Sequence, residues 1–524
     1  MPLVFSLVLI AGMFFGYRLK ESGGGKKGFF STSKRSSLQE AIDFIRLKYV
    51  DTVNIDSLEG NAIEMVMNKL DPHSVYLPPV ELKEANEDLA GNFEGIGVEF
   101  NIFNDSVNIV YVIPGGPSDG AGLEIGDKII SVDDSTLKAG SLTSNEIKNI
   151  IRGKRGSKVK LTIVRGKEQK IISVTRGTIP IPSIDAAYMI DRITGYIKLN
   201  RFTETSYEEF MRSLEDLQAK GMKDLIYDLR GNGGGFMNEA VDMADEFLDG
   251  DKLIVYTQGA NTRKREYRCK REGLFEKGRL IVLIDELSAS ASEVLAGALQ
   301  DWERATIIGR RSFGKGLVQE QYDLSDGSAI RLTVARYYTP LGRSIQRSYE
   351  KGKKVYLDEL WNRYSSGEML YADSNKIFNG KVYKTKTGRP VYGGGGIMPD
   401  IFVPIDTTHY QPAINQLLLN GGFNGFVYNY YLQHREELEK YRTVEEFIRG
   451  FNKAEEMWHG LMNYARRDSI NLDQVMGNEK TSLQKRLKAL LARFKWRNTG
   501  LYEVLNSDDP AILKAVEEIK KSPS

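Results

Sequence analysis

Residues 281–319 read IVLIDELSASASEVLAGALQDWERATIIGRRSFGKGLVQ, and the reading of the fold turns on them. The apolar run Ile281 to Ile284 predicts a buried strand. Ser288-Ala289-Ser290-Ala291-Ser292 forms a turn. Glu293 to Trp302 then predicts a helix with Val294, Leu295, Ala298 and Leu299 on one face, capped by Ser292 or a neighbour. A second strand, Ala305 to Ile308, leads to a glycine-bracketed lysine, Phe313-Gly314-Lys315-Gly316. This order of elements can present a hydroxyl at a helix N-terminus and bring an amine to it. A serine hydroxyl needs a base to become a nucleophile. The four histidines, His73, His409, His434 and His459, all lie outside glycine- or serine-rich strand ends, so a Ser-Lys pair is the economical reading. It requires a neutral lysine, which burial in apolar surroundings supplies. A surface lysine in a turn fits the same residues, and this stretch alone does not choose between the two.

Upstream, Asp224 to Leu229 predicts a strand that runs into Asp228-Leu229-Arg230-Gly231-Asn232-Gly233-Gly234-Gly235, followed by a helix from Glu239 to Leu248. A glycine run between strand and helix exposes backbone N–H groups that can bind phosphate or an oxyanion. Its spacing is not that of a dinucleotide fingerprint, and a plain tight turn is the alternative. Gly309 to Gly316 lacks the Ser or Thr a P-loop places after its lysine, and β-like sequence follows where a P-loop needs a helix. The preceding residues predict a strand at Gly195 to Leu199 and an amphipathic helix from Ser206 to Lys220, with Phe210, Leu214 and Leu217 on one face.

The 288–319 stretch resembles the signature of the carboxyl-terminal processing peptidases, the tail-specific serine protease family (S41): Ser-Ala-Ser-Ala-Ser-Glu, a helix, then Thr/Ser-Phe-Gly-Lys-Gly-x-Val-Gln. The resemblance implies that Ser290 is the nucleophile, Lys315 the general base and Gln319 the residue that orients the lysine, with Ser288 and Ser292 structural. The Asp-Leu-Arg-x-Asn-x-Gly-Gly segment at 228–235 resembles the same family and implies an oxyanion hole made by the N–H groups of Gly235 and Ala291. Tyr338 to Gln346 and Gly395 to Asp400 also resemble it.

Residues 91–177 form a unit of their own, with strands at Val107 to Ile113 and Val159 to Val164 and a helix at Ser144 to Ile151. Gly95-Ile96-Gly97-Val98 resembles the carboxylate-binding loop of PDZ domains, and Gly126 to Ile130 the matching turn and strand. Consecutive backbone N–H groups there form a nest for a peptide's terminal carboxylate while the peptide pairs with a sheet edge. Gly116-Pro117-Ser118-Asp119-Gly120 fits the Gly-x-Ser-x-Gly nucleophile elbow, but the sequence after it leaves room for one helical turn only.

Residues 38–90 are expected to be helical, from Ala41, Ile42, Ile45 and Tyr49 and from Ala62, Met65, Val66 and Leu70, with Asp71-Pro72-His73-Ser74 breaking the second helix. His73 is expected to cap or pack. The apolar run at 3–17 spans roughly 22 Å as a helix, short for a full crossing, and is read as a signal peptide or, lacking a small-residue cleavage site, an uncleaved anchor. The basic residues follow this run rather than precede it, against the usual bias for a translocated chain. A start upstream of Met1 carrying basic residues would remove the conflict.

After residue 405, Thr443 and Glu446 have capping-box spacing. Val444, Phe447, Ile448 and Phe451 form one helical stripe, and Leu483, Leu487, Leu490, Leu491 and Phe494 another; such stripes pack on a core or form a dimer.

Lys and Arg number 72 against 70 Asp and Glu, which gives no electrostatic case for nucleic acid. One cysteine, Cys269, excludes an internal disulfide framework and a cysteine-rich zinc site. The expected architecture is multidomain α/β: anchor or signal 1–22, linker 23–37, helical segment 38–90, PDZ domain 91–177, protease core 178–405 and helical extension 406–524. The resemblance implies a serine endopeptidase that uses no metal or organic cofactor. It is expected to engage unfolded or tail-exposed proteins by their free C-termini in the cell envelope, tethered to the inner membrane, with a PDZ domain that gates the site. The extension could form a homo-oligomer. A PDZ scaffold on an inactive core and a non-proteolytic acyl-transfer enzyme are the rival readings.

Overall fold

The computed structural model describes residues 36–103, 106–133, 135–137, 142–371, 380–406 and 411–521. The apolar run at 3–17 and nearly all of the 23–37 linker lie outside the described residues. The chain divides into two compact units, 1–66 and 67–524. The first holds the helix Ser37–Lys48, whose N-cap Ser36 accepts from Gln39 N–H, and most of the helix Ile55–Met67. Among the described residues no helix is long and apolar enough to cross a membrane.

The second unit is built on a six-stranded sheet whose strands lie side by side in chain order: β1 (Ile184–Met189), β2 (Thr194–Leu199), β3 (Asp224–Asp228), β4 (Leu280–Ile284), β5 (Thr306–Gly309) and β6 (Ile401–Phe402). Only the β1–β2 pair is antiparallel. β3 and β4 are buried at every residue, as strands covered on both faces should be. On one face Leu225, Tyr227, Val282 and Ile284 pack against α1 (Ser206–Ala219), α2 (Met237–Asp245) and α3 (Ala291–Asp301). On the other, Tyr196, Ile226, Ile281 and Leu283 are covered by Ile512, Ala515 and Ile519. These come from the last helix of the chain, Pro510–Lys521.

A second sheet brings Val75–Leu77, Ala329–Tyr338, Leu253–Gln258 and Arg265–Arg268 together, with Leu317–Asp323 pairing on Ala329–Tyr338. Within the segment 38–90, expected to be helical with a break at Asp71-Pro72-His73-Ser74, the structure adds the strand Val75–Leu77 after that break. Asp71 accepts from the N–H groups of His73 and Ser74 and turns the chain, and Tyr76 then pairs opposite Ile330. Three residues are too few to show a strand's period.

The PDZ unit is a five-strand path, Val98–Phe103, Ser106–Val112, Lys128–Val132, Lys158–Arg165 and Glu168–Thr175, over a core of Ile109, Ile129, Ile147 and Leu161. Ser118 lies fully buried in the short helix Pro117–Gly120, so it cannot present a hydroxyl as a nucleophile elbow does.

The extension has its own core, with Phe447, Leu461, Leu483 and Leu487 fully buried. The Thr443 box is half formed. Thr443 accepts from Glu446 N–H, but the Glu446 carboxylate turns back to Arg442 N–H, one residue earlier than the box requires. The long helix Gly477–Asn506 bends at Arg497, which takes φ 55.

Because Ile512 is almost fully buried against the sheet, Ile512→Ala is expected to cost about 2–5 kcal/mol. Urea unfolding of the two forms measures this, and a loss under about 1 kcal/mol would mean the last helix is not part of the core.

Candidate active site

Parallel pairing in register sets Asp228 opposite Leu283, so β3 and β4 end together and the turns that follow them meet. They are stitched by four contacts. Gly231 N–H donates to Asp285 Oδ1 at 2.9 Å, Ser288 Oγ to Leu229 O at 2.9 Å, Ala289 N–H to Asn232 O at 3.0 Å and Ser292 Oγ to Asn232 O at 2.9 Å. Ser288 and Ser292 are fully buried and spend their hydroxyls on backbone carbonyls. Ser290, between them, is half-buried.

The glycines set how closely the turns approach. A Cβ at Gly234 would stand 2.7 Å from Ser290 Cβ and 3.0 Å from Ala291 N. One at Gly235, where φ is 142, would stand 2.0 Å from Phe202 O. Gly235 bridges to Phe202, but the bonds of that bridge use Gly234 O and Phe236 N–H. The N–H groups of Gly235 and of Ala291, first residue of α3, therefore have no acceptor among the described residues. Two unspent backbone donors beside a serine side chain can hold a developing oxyanion.

Ser290 takes φ 57 and ψ −115, outside the regions open to most side chains. What holds it is Glu293, which is fully buried. Its Oε2 accepts from the N–H of Ser290 at 2.9 Å and the N–H of Lys315 at 2.8 Å; its Oε1 accepts from Gly314 N–H at 2.7 Å and Ser312 Oγ at 2.5 Å. Burial raises the Glu293 pKa, yet four converging donors suit the carboxylate rather than the acid. One oxygen thus fixes both the serine and the lysine backbone. Phe313 N–H adds a bond to Ser288 O at 2.9 Å. Gln346, in one of the family-like segments, accepts from Gly316 N–H at 2.8 Å, and Ile397, in the other, donates to Ser312 Oγ at 2.6 Å.

The Lys315 amine is largely buried. Desolvation lowers its pKa and Arg331 lowers it further, against the opposing pull of Glu293 and Asp71. The Tyr337 hydroxyl donates to Lys315 O and lies beside the Ser290 side chain. No hydrogen bond joins Lys315 Nζ to Ser290 Oγ among the described residues. Gln319 does not meet the lysine amine either; its amide donates to His73 O. The imidazole of His73 bonds Tyr356 OH at 2.8 Å, and burial, then the Lys315 charge, pushes its pKa down to about 4, so the ring is neutral at physiological pH. Among the described residues no cluster of three ligand-type side chains is set to hold a metal.

Residues 193–352 match the model of peptidase family S41, and 95–175 the PDZ domain model. The carboxy-terminal processing protease CtpA of Bacillus subtilis is 33% identical over 357 residues, covering 68% of this chain and 75% of the relative. The chain belongs to peptidase family S41. The carboxy-terminal-processing protease of Bartonella bacilliformis is 37% identical over 308 residues, 58% of this chain and 70% of its own. The solved structure of the photosystem II D1 C-terminal processing protease is 29% identical, covers 58% of this chain and 83% of its own, and superposes with a TM-score of 0.34. Residues 413–497 match a family of unknown function. This S41 peptidase is accordingly a serine protease with a PDZ domain, an α/β core and a helical C-terminal region.

In the PDZ unit of the S41 chain, Ile96, Gly97 and Val98 line a cavity of about 340 Å³ between the strand Val98–Phe103 and the helix Ser144–Ile151. Gly95 is not part of that lining; it pairs with Gly177 in a separate two-stranded ribbon. The residue that sequence reading passed over is Glu293, taken only as the start of a helix. Ser290-Ala-Ser-Glu293 has the spacing of a capping box, and that pattern places a carboxylate under the Ser290 N–H.

Replacing Glu293 with Gln leaves one acceptor oxygen and turns an NH2 toward backbone donors. Glu293→Gln is expected to lower kcat about 10²-fold with KM little changed, and to cost about 1–3 kcal/mol of stability. Peptidase kinetics and urea unfolding on the same preparation test this; an unaltered kcat would remove Glu293 from the positioning role.

Proposed function

We propose that this S41 peptidase is an endopeptidase in which Ser290 is the nucleophile and Lys315 its general base. The observation that carries the proposal is the Glu293 carboxylate, one oxygen of which accepts from the backbone of both residues beside two unspent N–H groups. Neutral Lys315 Nζ takes the Ser290 proton as Oγ attacks a peptide carbonyl carbon. The oxyanion is held by the N–H groups of Gly235 and Ala291. Collapse breaks the C–N bond, the lysine returns the proton to the leaving amine, and an acyl-enzyme remains. Water then attacks the ester carbonyl as the lysine takes its proton, the C–Oγ bond breaks, and the lysine returns that proton to Ser290 Oγ as the carboxylic product leaves. Gln319 acts at one remove here, by fixing the turn that carries His73 beside the lysine.

The substrates we propose are unfolded or tail-exposed proteins whose free C-terminal carboxylate enters the PDZ groove, in keeping with relatives named as carboxy-terminal processing proteases. The apolar run at 3–17 supports a place in the cell envelope, tethered to the inner membrane, with the protease outside the cytoplasm.

The base works only when neutral, so activity should rise with pH through the lysine's pKa, which lies below the ordinary 10.5. Arg331 disfavours the ammonium form; Arg331→Gln therefore raises that pKa and should move the half-point of the kcat/KM profile to higher pH. The assay is cleavage of an unstructured protein with an apolar tail, with Ser290→Ala and Lys315→Ala each expected to lose about 10³-fold or more. If Lys315→Ala cleaves as the parent does, or Arg331→Gln leaves the profile in place, the lysine is not the base and His73 becomes the residue to replace.

A further inference from the structure

The PDZ cavity is not made by the PDZ unit alone. Ile96, Phe100 and Ile151 form apolar walls, and Arg493 of the C-terminal extension closes the rim. The strand Val98–Phe103 ends its sheet, and its outer edge is unpaired among the described residues. A peptide adding to that edge runs past Arg493.

The rim is cationic. Lys148, Arg152 and Arg493 line it, against one carboxylate, Glu99. Two arginines of the extension share that carboxylate. Arg493 Nη2 stands 3.1 Å from Glu99 Oε2, and Arg497 pairs with Oε1 while its guanidinium lies 3.3 Å from the Tyr111 ring centre. Arg497 occupies the bend of its helix at positive φ, so the helix is deflected where it meets the PDZ unit. Glu87 pairs with Arg152 at 3.0 Å, and Asp185 stands behind Arg493, held by Asn498 at 2.7 Å; neither lines the cavity. Lys148 has no ion pair among the described residues.

We infer that Arg493 is a specificity-determining residue of the peptide site, and that it selects tails carrying an acidic side chain shortly upstream of an apolar C-terminal residue. The inference rests on the proposed binding of C-termini in this groove. The terminal carboxylate and last side chain occupy the loop and apolar walls. An upstream Glu or Asp then meets a guanidinium that shares its one glutamate with a second arginine, and an upstream Lys meets like charge.

The test uses the full chain carrying Ser290→Ala, so that peptide is bound and not cut. Fluorescence polarisation compares labelled decapeptides ending in the same apolar residue, with Glu or Lys scanned over the four positions before it, at low salt. The Glu peptide is expected to bind about 10-fold tighter than its Lys twin at one position or more. Arg493→Gln should bring that ratio below about 3-fold while the apolar tail still binds. Glu99→Gln, which releases both arginines, should widen the ratio. A ratio that survives Arg493→Gln, or equal weakening of both peptides by it, overturns the inference and leaves Arg493 a structural contact. Amidating the peptide C-terminus separates the two readings. If amidation does not weaken binding, the groove is not a carboxylate site and both fall. If it does weaken binding while Arg493→Gln is silent, only the role of Arg493 falls.

Discussion

A carboxylate with no exposed surface lies under both halves of the proposed dyad, and the rest of the site depends on it. Taking an isolated charge out of water costs several kcal/mol. Glu293 offsets that cost with four donors, and each is a point the site must control: the Ser290 N–H, the Lys315 N–H, the Gly314 N–H and the Ser312 hydroxyl. Moving any of them strands a buried charge, so the arrangement resists drift more strongly than four neutral hydrogen bonds would. The same carboxylate explains how Ser290 keeps a positive φ. Such a conformation costs on the order of 1–3 kcal/mol and persists only when its surroundings over-determine it.

The sheet does the remaining positioning. Strands in chain order and parallel register make successive loops neighbours, so the glycine turn after β3 and the serine turn after β4 meet without a long connection. Open α/β sheets bind ligands outside the carboxyl ends of their strands, and this site follows that rule. The lysine arrives from β5, the next strand over, on a loop bound to Ser288 O and to Glu293. Three adjacent strand ends thus bring a glycine turn, the serine turn and the lysine loop together, the last two joined at the backbone by Glu293. The roles are proposed; the juxtaposition follows from topology.

What the sequence made legible was chemistry carried in consecutive residues. The serine turn, the bracketed lysine and the glycine run each declare a backbone shape locally, and the PDZ loop does the same. Contacts between distant residues leave no local pattern. Gln319 bonds a carbonyl 246 residues away, and the strand Val75–Leu77 exists because Ala329–Tyr338 offers it an edge. His73, read as a residue that caps or packs, does bond Tyr356, but that it lies beside the lysine could not be seen from Asp71-Pro72-His73-Ser74. The leucine stripe at 483–494 was readable as buried. Its neighbours on the same helix, Arg493 and Arg497, carry no such local signal, because nothing in the sequence says that Glu99 lies across from them.

The extension touches the core as well as the groove. Past the bend at Arg497, Asn498 bonds Asp185 of β1 at 2.7 Å, and Asp509 pairs with Arg230 at 2.9 Å. Arg230 in turn grips the buried Asp228, whose pKa its charge holds well down, at the root of the glycine turn. One run of residues, 493–509, therefore reaches from the rim of the PDZ cavity to the strand end that carries the glycine turn. The helix bend at Arg497 and the turn at Asp509 thereby tie the C-terminal helices to both the PDZ unit and the central sheet.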